Sequence, residues 1–169
     1  MNSKKLIFAL LMLTLCVCMF AQTAPDRVFF PIPFEAKDLH GNDVNEKFWG
    51  EKEFFFIYHT ATWCGPCIQG MPALAEVAKE FGDRVGFLAL LDDYRSNING
   101  AKRITENAGI PSGFIFIDAS LEEVRGILGL VSSGYIPAAV IIGKDGRRLM
   151  EPFHTANART HLNSLFTRR

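Results

Sequence analysis

Two cysteines, Cys64 and Cys67, are separated by two residues and carry the reactive groups of this chain. The other two, Cys16 and Cys18, lie in an apolar stretch near the start. A bridge between Cys64 and Cys67 would close a very small loop. Loop-closure entropy grows with loop length, so such a bridge staples little of the chain. The spacing therefore points to redox chemistry or metal binding before scaffolding. Tetrahedral zinc wants four ligands, usually as two pairs. No second CxxC and no closely spaced histidine pair accompanies this one. His59 and Met71, with the cysteines, form a set that copper could accept. The plainer expectation makes His59 a strand residue packed under the site and Met71 a helix residue covering it. No metal and no cofactor are therefore expected, with copper binding as the alternative.

The elements around the pair decide what the thiols can do. Glu53–Thr60 (EFFFIYHT) is a compact apolar and aromatic run, the pattern of a buried strand. Leu74, Val77, Ala78 and Phe81 repeat at helical spacing, and Gly82 follows as a stop. Trp63-Cys64-Gly65-Pro66-Cys67 thus sits between a strand and a helix. A helix start carries unpaired N–H groups and the positive end of the dipole. A thiolate there is stabilised, which lowers its pKa. Cys64, the more N-terminal and more exposed cysteine, is the expected nucleophile, and Cys67 the resolving thiol. Gly65 and Pro66 suit the turn entering the helix.

Further strands are expected at Val85–Leu91, Gly113–Ile117 and Ala138–Ile142. The Lys144-Asp145-Gly146-Arg147 turn should lead into another near Arg148–Glu151. Phe34–Asn45, with a turn at His40–Asp43, reads as a short hairpin. Helices are expected near Gly100–Ala108, from a Ser120/Glu123 capping box through Leu128, and from about Asn157 onward. Strands alternating with helices, then a terminal hairpin, predict an α/β fold with a mixed sheet covered on both faces.

Composition agrees with one packed domain. The chain has 169 residues, 49% apolar and 21% charged, and a net charge of zero. Intrinsic disorder is excluded, and no basic excess suggests a nucleic-acid partner. Lys4 and Lys5 precede an uncharged run from Leu6 to Ala21. This is the pattern of a secretory signal, residues 1–21, with cleavage after Ala21. The run is short for a spanning helix, so a membrane anchor formed by residues 6–21 is the alternative. A proline-marked lead-in at 22–33 and a domain at 34–169 would follow, in the periplasm or outside the cell.

WCGPC after an apolar strand resembles the thioredoxin active-site motif. The longer string from His59 to Cys67, with Met71-Pro72 after it, resembles exported reductases of the TlpA/ResA type. So do Phe34–Val44 and the stretch Gly134–Ile142 followed by Lys144-Asp145-Gly146. The resemblance implies a thioredoxin fold and thiol–disulfide exchange on protein disulfides, most simply as a reductase. It implies a monomer re-reduced by a membrane or periplasmic thiol donor. Pro137, by residues alone either an edge-strand start or a cis proline, becomes a cis proline lying against the cysteines. The Ile136 backbone could then pair with an extended substrate. Three departures stand out. Gly70 replaces a glutamate, Tyr58 a buried aspartate and Thr60 a tryptophan of related chains. The acid–base partner of Cys67 is thereby left open among water, Glu53, Asp92 and Asp93. An oxidase, a copper chaperone and a docking module remain as competing functions.

Overall fold

The computed structural model describes residues 32–167. The expected signal segment, residues 1–21, and most of the expected lead-in lie outside them. A four-stranded sheet forms the centre, built from β3 (Phe54–Thr60), β4 (Val85–Leu91), β5 (Phe114–Asp118) and β6 (Ala138–Gly143), in the order β5-β4-β3-β6. The first three are parallel and β6 runs antiparallel to β3. A small antiparallel hairpin, β1 (Glu35–Lys37) and β2 (Asp43–Asn45), precedes them. The helices are α1 (Gly65–Phe81), α2 (Tyr94–Asn107), α3 (Arg125–Val131) and α4 (Ala158–Thr167).

β3, β4 and β6 are buried along almost their whole lengths. That is why they read as continuous apolar runs, as strands covered on both faces do. Alternate residues feed two cores. Phe54, Phe56 and Tyr58 pack with Leu74, Phe81 and Leu162 on the side of α1 and α4. Phe55 and Ile57 pack with Trp49, Ile127 and Val131 on the side of α3. α2 lies with α1, as Ala101 and the half-buried Ile98 and Ile104 show. Two parallel crossovers stepping the same way across a sheet place their helices on one face, because such connections are right-handed.

The hairpin forms as expected, and Asp38 holds its turn. Asp38 Oδ1 accepts from the His40 and Asn42 amides at 2.8 and 2.9 Å, and Oδ2 from Asn42 Nδ2 at 2.9 Å. Gly41 takes the positive φ (84°) that this turn needs. Tyr94 at the start of α2 donates its hydroxyl to the Asp38 carbonyl at 2.6 Å, tying the hairpin to the domain.

Three elements differ from expectation. The segment after Gly146 does not become a regular strand. Its backbone hydrogen-bonds to β6 at Arg147, Leu149 and Phe153, forming isolated bridges at Arg148 and Phe153. β6 passes from Ile141 to Ala139 while the neighbour runs from Leu149 to Phe153, so residues loop out, among them Pro152, which has no N–H to give. The Ser120/Glu123 box does not form. Ser120 instead donates its amide and hydroxyl to Asp118 Oδ1, at 2.8 and 2.7 Å. A short 3-10 turn, Glu122–Val124, intervenes, and α3 continues to Val131. Finally, α2 begins at Tyr94, well before Gly100, with a break at Asn97 (φ −146°, ψ 41°).

Candidate active site

The topology gathers the site at one end of the sheet. β3 and β4 are in register to Thr60 and Leu91, and both end there. β6 is antiparallel, so its first residue, Ala138, pairs with His59 at that same end. The β3–α1 loop, the residues after β4 and the Ile136–Pro137 bond therefore meet beyond the carboxyl ends of two parallel strands. Open α/β sheets bind their ligands in such places.

Cys64 is the N-cap of α1 and is bridged to Cys67, with the Cα atoms 5.2 Å apart. Cys64 Sγ accepts from the Cys67 amide at 3.2 Å. Pro66 occupies the first turn, where a missing N–H costs nothing. No acidic residue lies in that turn, so no carboxylate of the helix itself opposes the dipole at the Cys64 sulfur. Cys64 is 5% exposed and Cys67 fully buried. Ala61 packs on both, with the half-buried Ile136 against them. The Ile136–Pro137 bond is cis. Trp63 stands out at 67% exposure. Pro72 sits inside an uninterrupted α1.

The loop carrying Trp63 is clamped from below. Asp93 accepts from the Thr62 amide at 2.9 Å and from the Thr62 hydroxyl. Asn97 Nδ2 donates to the same hydroxyl at 2.6 Å. Asn97 can reach it because of its non-helical backbone, with the side chain folded over Gly100. A Cβ on Gly100 would come within 2.4 Å of that amide. Nothing in the spacing of Thr62, Asp93 and Asn97 announces this clamp. It exists only because β3 and β4 end side by side.

His59 and Asp92 also meet. Nε2 of His59 lies 2.7 Å from Asp92 Oδ1, and an ionised carboxylate can only accept, so the imidazole donates. His59 points to the α3 side of the sheet, by alternation with Phe55 and Ile57. Met71 packs in the core on the α1 side. The copper set suggested by the sequence is thus divided between two faces. Among the described residues no three His, Cys, Asp or Glu side chains gather as a metal site.

Of the three carboxylates considered for Cys67, Glu53 is eliminated. It precedes β3 at the far end of the sheet and binds Arg84 Nε at 2.5 Å. Asp92 and Asp93 lie at the right end, engaged by His59 and Thr62. The Tyr58 and Thr60 hydroxyls are fully buried and have no hydrogen-bond partner among the described residues. Burial pushes the Tyr58 hydroxyl up to about 12. At Gly70 an added Cβ would lie 3.6 Å from the Thr155 hydroxyl, so Thr155 occupies the space beyond that position. A cleft of about 230 Å³ opens beside the cysteines, lined by His59, Trp63, Asp92, Ser132, Tyr135 and Ile136.

Known proteins are similar to this chain. The ResA thiol-disulfide oxidoreductase of Bacillus thuringiensis is 26% identical over 113 residues, covering 67% of this chain. The chain spans only 56% of that relative's length. A secreted disulfide oxidoreductase of Mycobacterium tuberculosis, described as homologous to DsbE of Escherichia coli, superposes with a TM-score of 0.63 at 14% identity, over 81% of this chain and 99% of its own. A thiol:disulfide interchange protein from Chlorobium tepidum gives 0.63 at 20% identity, over 79% and 94%. At these identities the two structures establish a shared fold. The thioredoxin family model matches residues 35–125, more than half of the chain and including both cysteines and the strand before them. With the mixed sheet, the CGPC helix start and the cis Ile136–Pro137 bond, this match shows that the chain belongs to the thioredoxin family.

Proposed function

We propose that this protein is an exported thiol–disulfide oxidoreductase working as a disulfide reductase on protein substrates. The observation that carries the reading is the bridged Cys64–Cys67 pair, seated at the start of α1 beside the cis Ile136–Pro137 bond. In the reduced protein, the Cys64 thiolate attacks one sulfur of a substrate disulfide. A Cys64–substrate bond forms, the substrate S–S bond breaks, and the second substrate sulfur leaves as a thiolate. The Cys67 thiolate then attacks Cys64 Sγ and expels the first substrate sulfur. Two electrons have passed from the dithiol to the substrate, leaving the Cys64–Cys67 bridge. An upstream thiol donor must return two electrons before another turnover.

Trp63, Gly65, Pro66 and Pro137 support the reacting sulfurs in this reading, and the Ile136 backbone pairs with an extended substrate segment. Reduction is favoured over oxidation by the resemblance of Gly65-Pro66 and Ile136 to reducing members of the family. Export rests on Lys4-Lys5 and the apolar run to Ala21, with the domain itself over 34–169. Similarity to a protein described as secreted agrees with it. Among the described residues no helix is long and apolar enough to cross a membrane.

The test is a non-reducing pull-down from the native compartment. Cys67→Ser permits the first attack and blocks the second, so it should accumulate a mixed disulfide through Cys64. Cys64→Ser should trap almost nothing. Equal trapping by the two variants would defeat the exchange mechanism. The reduction potential of the pair then decides direction, since ~30 mV is a tenfold change in equilibrium.

A further inference from the structure

The cleft beside the cysteines carries a carboxylate to which the two exchange steps above give no role. Its walls are two exposed aromatic rings, Trp63 at 67% and Tyr135 at 49% exposure. Asp92 lies at its edge with its side chain 38% exposed. Oδ1 is taken by His59. Among the described residues, Oδ2 makes no hydrogen bond. The His59 ring N–H fixes the orientation of the carboxylate and leaves its other oxygen open. Among the described residues no lysine or arginine lines the cleft. Arg95, close by in sequence, is committed to Asp118 at 2.5 Å. The cleft thus combines an oriented carboxylate with an open acceptor oxygen and two aromatic rings.

That combination suits a cation on a long apolar stem. A guanidinium or ammonium is attracted to an aromatic face, its stem packs on the ring edges, and its N–H groups satisfy the free acceptor. The volume, about 230 Å³, admits a single side chain. Ile136 belongs both to this cleft and to the packing around Cys64 and Cys67. The cleft thus adjoins the cysteines, close enough for one substrate segment to reach both.

We propose that Asp92, oriented by His59, selects substrates bearing an arginine or lysine within two residues of the cysteine attacked by Cys64. The proposal rests on the disulfide-exchange reading above and names its substrate class. Asp92 acts as a specificity residue. His59 is a positioning residue that acts through it.

The experiment uses the reduced protein in single turnover, so that no further reductant is needed. The probes are short peptides, each with one cysteine bridged to a neutral 2-hydroxyethanethiol group. They carry Arg, Glu or norleucine one or two positions from the cysteine, or Arg at the distant end of the peptide. The readout is the ratio of second-order rates for the Arg and Glu probes within one protein, which cancels any change in overall reactivity. The expected ratio is about tenfold with Arg nearby, falling toward one at high salt, and near one with Arg at the distant end. Asp92→Asn should bring the ratio close to one, Asp92→Glu should restore most of it, and Asp92→Lys should invert it. Inversion cannot arise from a folding defect. A flat ratio in the native protein, or a preserved one in Asp92→Asn, overturns the proposal. Bis(2-hydroxyethyl) disulfide separates the two failures. If it is reduced while the ratio is flat, this inference alone falls. If neither it nor any peptide is reduced, the exchange reading falls with it.

Discussion

At the residue scale the two cysteines differ in one measurable way, access. Cys64 keeps slight exposure and Cys67 has none, and only Cys64 sits at the helix cap. In the reduced protein, alkylation at mildly acidic pH should modify Cys64 well before Cys67. Mass mapping of partly labelled protein checks this, and equal labelling would reverse the assigned roles. Tyr58 stands where the thioredoxin resemblance leads one to expect a buried aspartate. With burial pushing its hydroxyl up to about 12, it stays protonated and neutral throughout the neutral range. A buried hydroxyl without a partner contributes little, and its removal forfeits no hydrogen bond. Tyr58→Phe should therefore leave stability unchanged or raise it by about 1 kcal/mol, read as a urea midpoint. A loss of 2 kcal/mol or more would mean that the hydroxyl is bonded.

At the element scale the site depends on two joints. One is the break in α2 that lets Asn97 reach Thr62. Gly100→Ala puts a methyl where the Asn97 amide lies. Alanine is the better helix former, so propensity alone predicts about 1 kcal/mol of stabilisation. The expected outcome is instead no gain or a net loss, with altered Trp63 fluorescence as the loop is released from Thr62. The other joint is the β1–β2 turn. Burial alone would raise the Asp38 carboxyl, but hydrogen bonds from the Asn42 side chain and from the Asn42 and His40 amides outweigh it and hold it below the usual carboxylate range. Its folded value is thus lower than its unfolded one. The contribution is complete above the unfolded value near ~3.9 and is lost as pH falls through the folded value. Asp38→Asn should be less stable at neutral pH and should lose less stability than the native protein on acidification toward pH ~2–3. Urea denaturation across that range checks both signs.

At the scale of the whole molecule, one sheet separates two cores, and neighbouring residues of β6 serve different ones. Ile141 packs on the α1 side and Val140 on the α3 side. Substitutions in the two cores share no partner and should not couple. Ile141→Val and Ile127→Val should each cost about 0.5–1.5 kcal/mol, and the double variant their sum to within about 0.5 kcal/mol. A larger coupling energy in that cycle would show that strain crosses the sheet. Distance from the sulfurs also matters, because Ile127 lies behind the sheet on α3. Exchange rates with a small neutral disulfide should follow the fraction folded in both variants.

By itself the sequence determined the strands, the helix behind the cysteines, the hairpin and the chemistry of the pair. These features are local or doubly buried. Phe54–Thr60 and Val85–Leu91 are unbroken apolar runs because both faces are covered. The α1 stripe has helical period, and Cys64 and Cys67 are one turn apart whatever surrounds them. The expected strand at Arg148–Glu151 failed because an edge segment needs only a few hydrogen bonds to stay attached, and Pro152 can donate none. The Ser120 cap failed because Asp118, two residues away, takes both the Ser120 amide and its hydroxyl. Only the tertiary structure decided which polar groups face one another. Glu53 and Asp92 were equal candidates as letters in a chain. Parallel pairing of β3 with β4 sent one to the far end of the sheet and set the other on His59. Pairings of that kind join residues more than 30 positions apart, and no local spacing encodes them.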